Sequence, residues 1–354
     1  MKIKNLSKLL PLALLFSITA CNSSLITKKA AFMDEDVEII LPSEKGGYVE
    51  TAQRILKEIE KYADPNYVAK TLEKYRLNVK DSDGRKYYYF TGDYTLYEMI
   101  HSLAYYSRGY LPYDNGYIGM WKKVIEEGRT DFDDDSGEYY EAYRLYDQLL
   151  NADFQFSSWG EMTYIGNFTF DFRPVIEAYA IDKVRAYFGS DYWNGRVTDY
   201  ILKMSPYNMA VVSTGNKKSI TLDGPYGKKV TINGLEHALI SMASGVGNTR
   251  MIQDKYGYTR IASTKYITMD GPWVKNDAVI MVTCHLGDNR GITPAIYGAA
   301  YAYEAMKEEE GYNRYREGEE GIYAIVFRNN EIVYCSSKLD VKYEGVYYGT
   351  HQYE

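Results

Sequence analysis

Cysteine is scarce in this chain: there are three in 354 residues, and none stands in a CxxC or Cys/His spacing of the kind that holds zinc. Cys21 falls in a lipidation motif described below. That leaves Cys284 and Cys335, enough for one disulfide in an oxidising compartment or for two buried thiols. Positive charge is also short. Lys and Arg number 41 against 48 Asp and Glu, a formal net charge of −7, which argues against nucleic acid and acidic polymers as partners. The apolar run at residues 9–18 is too short to span a bilayer comfortably. Between residues 48 and 243 strand signals are sparse, while helix-period patterns recur.

The N-terminus carries the clearest motif. Lys2, Lys4 and Lys8 form a basic region, residues 9–18 an apolar core, and Ile18-Thr19-Ala20-Cys21 reads as a lipobox. This resembles bacterial lipoproteins. The resemblance implies cleavage before Cys21, lipidation of that residue, and a place in the cell envelope with membrane contact through the lipid anchor only. Residues 1–20 are then a signal peptide and 21–47 a tether. Hydrophobic residues make up 45% of the chain and charged residues 25%, ordinary values for a globular protein, but Tyr, with 39 residues, is unusually abundant. Tyrosine packs an apolar ring while keeping a polar tip, which suits interlocking helices and half-buried surfaces.

The strongest pattern lies at residues 96–113. Leu96, Met99, Ile100, Leu103 and Tyr106 fall at helical spacing, and Pro112 forbids continuation beyond Gly109. Similar patterns predict helices over 48–62, 66–77, 118–127, 138–150, 173–188, 191–204 and 234–244, with a hairpin at 220–232 around Gly224-Pro225-Tyr226-Gly227. The expected fold is α+β and mainly α: an irregular HEAT-like helical array over 48–257, followed by a small, incomplete α/β unit over 258–354. In that unit 278–284 is a β-branched strand, 293–309 a helix, and 321–327, 331–335 and 341–348 further strands.

Several of these segments resemble, in order and spacing, the helical activator region of secreted bacterial collagenases of the zinc metallopeptidase type. The run Leu96 to Tyr113 resembles its N-terminal segment, Ile296-Tyr297-Gly298-Ala299-Ala300-Tyr301-Ala302-Tyr303-Glu304 a later helix, Ile322 to Asn329 a strand, and Tyr343-Glu344-Gly345-Val346-Tyr347-Tyr348 an edge strand. The chain departs from that family in having no HExxH, so two ligands and the general base of metal-assisted hydrolysis are missing together. Gly349 stands where a calcium-binding carboxylate would be. The resemblance implies a lipid-anchored module that binds an extended protein or peptide without cutting it, or part of a truncated peptidase. Gly345, Val346 and Tyr347 would pair substrate as an edge strand, with a helical groove around Tyr105, Tyr106 and Tyr110 as a second contact. No catalytic residue, metal or cofactor is expected.

Other candidates have plainer readings. His237 beside Glu236 could move protons in a polysaccharide-processing enzyme of helical-toroid type, although a single His on a helix is more often a packing residue, and His101 more so. Cys284 and His285, adjacent on a strand, point to opposite faces and cannot form a dyad. Asp131, Asp133 and Asp135 resemble half a calcium loop, but Gly137 comes one position late and Ala142 stands where a Glu is required, so a solvated acidic turn is expected. A non-enzymatic surface adhesion lipoprotein is the remaining alternative.

Overall fold

The β-branched run at 278–284 lies at the centre of the sheet that organises the molecule. Val279 and Met281 face a layer of helices, while Ala278, Ile280 and Val282 face a second sheet, and all five are fully buried. In this computed structural model, residues 24–79, 84–106, 113–157, 160–189, 197–205, 208–213, 216–284, 295–307 and 321–349 are described. The large sheet has eight strands, each antiparallel to its neighbours and placed in the order of the chain. They are β1 Leu25–Phe32, β2 Glu35–Pro42, β3 Tyr200–Ser205, β4 Asn208–Val212, β5 His237–Ser244, β6 Ala278–Cys284, β7 Ile322–Arg328 and β8 Glu331–Cys335. Burial of each large apolar side chain on the two faces contributes about 1.5–3 kcal/mol.

Seven α-helices are formed by the described residues: α1 Tyr48–Glu60, α2 Pro65–Tyr75, α3 Thr95–Tyr106, α4 Tyr117–Glu126, α5 Glu138–Leu150, α6 Ile176–Phe188 and α7 Ala295–Ala305. Asp64 caps α2 by accepting from the Asn66 N–H at 2.9 Å, with Pro65 supplying a preset first turn. The expected stripe of α3 is present, with Leu96, Met99, Ile100 and Leu103 buried. α7 is apolar nearly all round, α6 buries seven of its thirteen residues, and both lie against the large sheet. Gly298 lets α7 approach it closely, since a Cβ there would sit 3.2 Å from Thr283 Cγ2.

On the far face of the large sheet lies a four-stranded sheet of Lys218–Asp223, Lys229–Leu235, Asp340–Tyr343 and Val346–Gly349. A second small sheet, including Arg85–Tyr89 and Glu161–Ile165, holds an aromatic stack in which Tyr88 and Tyr164 lie parallel at 5.4 Å and hydrogen-bond through their hydroxyls. Much of the tyrosine content is spent in such packing.

The mainly helical, HEAT-like array does not form. Two expected helices, 191–204 and 234–244, overlap β3 and β5, because a short strand buried on both faces is apolar throughout and carries no period that separates it from a buried helix. Residues assigned to a tether form the β1–β2 hairpin, with Val37, Ile39 and Leu41 turned inward around a Met33-Asp34 turn of positive φ. The α/β unit expected after residue 257 shares a sheet with earlier strands, since β6 pairs with β5. The expected last strand, 341–348, is a hairpin turned at Glu344-Gly345, both at positive φ.

Candidate functional site

A cleft of about 320 Å³ opens where α6, α7 and the ends of β4 and β5 meet. Glu177, in the first turn of α6, forms one side. Its carboxylate accepts from Ser205 Oγ and from Asn208 Nδ2, both at 2.7 Å. Asn208 begins β4, is 8% exposed, and its Oδ1 has no hydrogen-bond partner. A buried amide oxygen left unpaired costs about 1–3 kcal/mol, and Asn208 is among the residues that line the cleft.

Ser241, Met242 and Ala243 of β5 line the cleft beside Ala299 and Tyr303 of α7. Tyr303 and Tyr266 meet edge to face at 4.6 Å. The Tyr266 hydroxyl accepts from the Ser244 N–H and donates to the Ser244 carbonyl, while Tyr303 donates to the Lys265 carbonyl at 3.0 Å. These bonds fix the segment carrying Thr264 and Lys265. Three cations border the cleft, Lys122, Arg173 and Lys265, of which Arg173 is held by Asp171 through both carboxylate oxygens. Desolvation lowers the Lys265 pKa, opposed by the charge of Glu177.

The position of α7 depends on Asp182 of α6. Its Oδ1 accepts from the Ala295 N–H at 2.8 Å and its Oδ2 from the Ile296 N–H at 3.1 Å, capping α7 from another helix. Arg185 lies 3.3 Å away. Burial pushes the Asp182 carboxyl up to about 6, against the pull of Arg185 and the two N–H groups.

The residues expected to bind a peptide lie elsewhere. Val346 and Tyr347 are half exposed on the outer strand of the four-stranded sheet, Gly345 is in its turn, and none of the three lines the cleft. Tyr110 and Cys21 lie outside the described residues, as do the side chains of Tyr105 and Tyr106 at the end of α3. His237 sits half-buried on a strand opposite Val212. His101 packs on Phe156 at 4.8 Å, as expected of it. The acidic turn is closed by its own backbone, with Asp133 accepting from the Asp135 N–H, and Arg129 holds the Glu138 carboxyl down to about 2. Cys335 is a free, half-buried thiol pushed up to about 12 by burial. Among the described residues no three His, Cys, Asp or Glu side chains converge as a metal site would require. Glu177, Ser205, Asn208 and Tyr266 went unnoticed in the sequence because no spacing joins them.

No protein-family model and no curated protein matches the chain. Solved structures do. A flavin transferase ApbE from Vibrio cholerae superposes with TM-score 0.55 at 11% identity, covering 91% of this chain and 98% of that one. The flavinyl transferase ApbE from Pseudomonas stutzeri, in its apo form, gives 0.59 at 12% identity over 91% and 95%. The ApbE protein of Thermotoga maritima gives 0.55 at 11% over 86% and 94%. The fold is that of the ApbE flavin transferases.

The ApbE-like fold overturns the resemblance to collagenase activator regions, and with it the extended-peptide partner, the substrate module and the truncated peptidase. Those readings took strand-forming segments as helices of an array. The polysaccharide toroid needed the same array, and neither it nor the adhesive lipoprotein is supported by a sheet-based ApbE-like architecture.

Proposed function

We propose that the cleft binds a flavin nucleotide. The observation that carries this reading is the orphaned Asn208 Oδ1 in a cleft bordered by Lys122, Arg173 and Lys265. A flavin ring presents an imide N–H, the donor this oxygen lacks, and its phosphate ester suits the cationic border. The volume of about 320 Å³ is near the lower end of the range of about 300–1,000 Å³ for small-molecule sites. It has room for a ring system, with the phosphate extending along the open side. The structural neighbours are named flavin transferases, an activity that requires a flavin to be held on the protein.

Titration calorimetry with FAD and FMN tests the reading. Asn208→Ala should weaken flavin binding about ten-fold, the worth of one buried hydrogen bond, while circular dichroism stays unchanged. Absence of any flavin binding at millimolar concentration, or equal affinity in the variant, would remove it.

We also propose anchoring in the cell envelope through lipidated Cys21, on the strength of the lipobox. Among the described residues no helix is long and apolar enough to cross a membrane. Cys21→Ser protein is expected in the soluble fraction and the parent chain with membranes. Membrane fractionation of both would count against the anchor.

A further inference from the structure

A second cavity, of about 280 Å³, also borders α4: Lys122 borders the cleft and Trp121, the preceding residue, lines this cavity. Its wall is aromatic. Trp121 and Phe132 rings are 4.3 Å apart, Tyr117 lies 6.1 Å from Phe132 and 5.8 Å from Tyr146, and Tyr143 projects at the rim, 61% exposed. The charged residues of the lining are Asp131 and Asp270, with no Lys, Arg or His among them. Neither forms an ion pair among the described residues, although Asp131 Oδ1 accepts from the Phe132 N–H. The nearby Lys307 ammonium is spent on Thr268 Oγ1 and the Gly271 carbonyl.

Tyr88 and Tyr164 bond to each other through their hydroxyls. Here, by contrast, aromatic faces, two carboxylates and an open volume coincide. Trp121 is 7% exposed, and its indole N–H lies against the Tyr117 hydroxyl, whose ionisation it favours. Ring faces attract a cation, and a quaternary ammonium is the cation least costly to strip of water. We infer that this cavity binds a small quaternary ammonium group, the cation carried by choline and by tetramethylammonium. This site stands independently of flavin binding in the neighbouring cleft.

Saturation-transfer NMR and calorimetry on the full chain, with choline, tetramethylammonium and the uncharged carbon isostere dimethylbutanol, test the inference. Choline should bind, and the isostere should bind about ten-fold more weakly or worse, since it lacks the charge that ring faces and carboxylates attract. Tyr143→Ala and Asp270→Asn, chosen because Tyr143 is exposed and Asn keeps the shape of Asp, should each weaken choline about five-fold. Equal binding of the isostere would make the cavity merely apolar. Failure of both cations to bind, indifference to both substitutions, or binding of a neutral saccharide in their place would overturn the assignment.

Discussion

Asp182→Ala should cost about 3–5 kcal/mol of stability and loosen the start of α7, because two helix-terminal N–H groups lose their acceptor and Arg185 its partner. Since α7 supplies Ala299 and Tyr303 to the cleft, flavin affinity should fall with it. Asp182→Asn separates charge from hydrogen bonding. The folded carboxyl titrates near 6, above its ordinary value of 3.8, so between these two values the folded chain holds a proton that the unfolded chain has released. The stability this contributes is fully present below about pH 4 and is lost as pH rises through about 6, in all about 3 kcal/mol. Urea midpoints across that window should slope downward for the parent chain and lie flatter for Asp182→Asn. An unchanged slope in the variant would assign the pH dependence to another group.

Gly349→Ala should be as damaging, for a steric reason. At φ +79 a Cβ on this residue would lie 1.8 Å from the Leu339 carbonyl oxygen, which is backbone and cannot swing away. The strained conformation alone costs about 1–3 kcal/mol, and relieving the contact must displace the final hairpin from the large sheet, so a loss above about 3 kcal/mol is expected. Gly345 gives the comparison. It also has positive φ, +85, but nothing lies within 4 Å of its missing Cβ, and Gly345→Ala should cost only about 1 kcal/mol. Denaturation midpoints that fall equally for the two variants would show that conformation, and not the Leu339 contact, sets the requirement for glycine. The same contact gives Gly349 a structural reason to lack a side chain, which the comparison with a calcium-binding carboxylate could not.

Where one face meets water, the sequence could be read. α5 spans 138–150 as its pattern predicts, α1 and α2 come close to theirs, and the Gly-Pro-Tyr-Gly hairpin forms where its turn residues place it. β3 and β5 were hidden because both their faces are covered and their polar positions are too few to mark a period. The Met33-Asp34 turn was missed for lack of the usual Gly or Asn. The cleft was illegible for a different reason. Glu177, Asn208, Ser241, Tyr266 and Tyr303 come from five separate segments and meet only after the sheet has closed. An unpaired oxygen such as Asn208 Oδ1 is a property of packing, with no counterpart in residue order.

The pairing of β2 with β3 sets Glu38 opposite Lys203, so the β1–β2 hairpin has no neighbour on its inner edge until the 157 residues between Pro42 and Tyr200 have followed. Long-range antiparallel pairing of this kind is slow, since the intervening loop must close before any contact rewards it. Meanwhile β2 has an open edge of unpaired backbone groups and an uncovered face carrying Val37, Ile39 and Leu41, both of which invite association with other chains. A chain so arranged completes its main sheet only after synthesis is well advanced, because β7 and β8 lie close to its end.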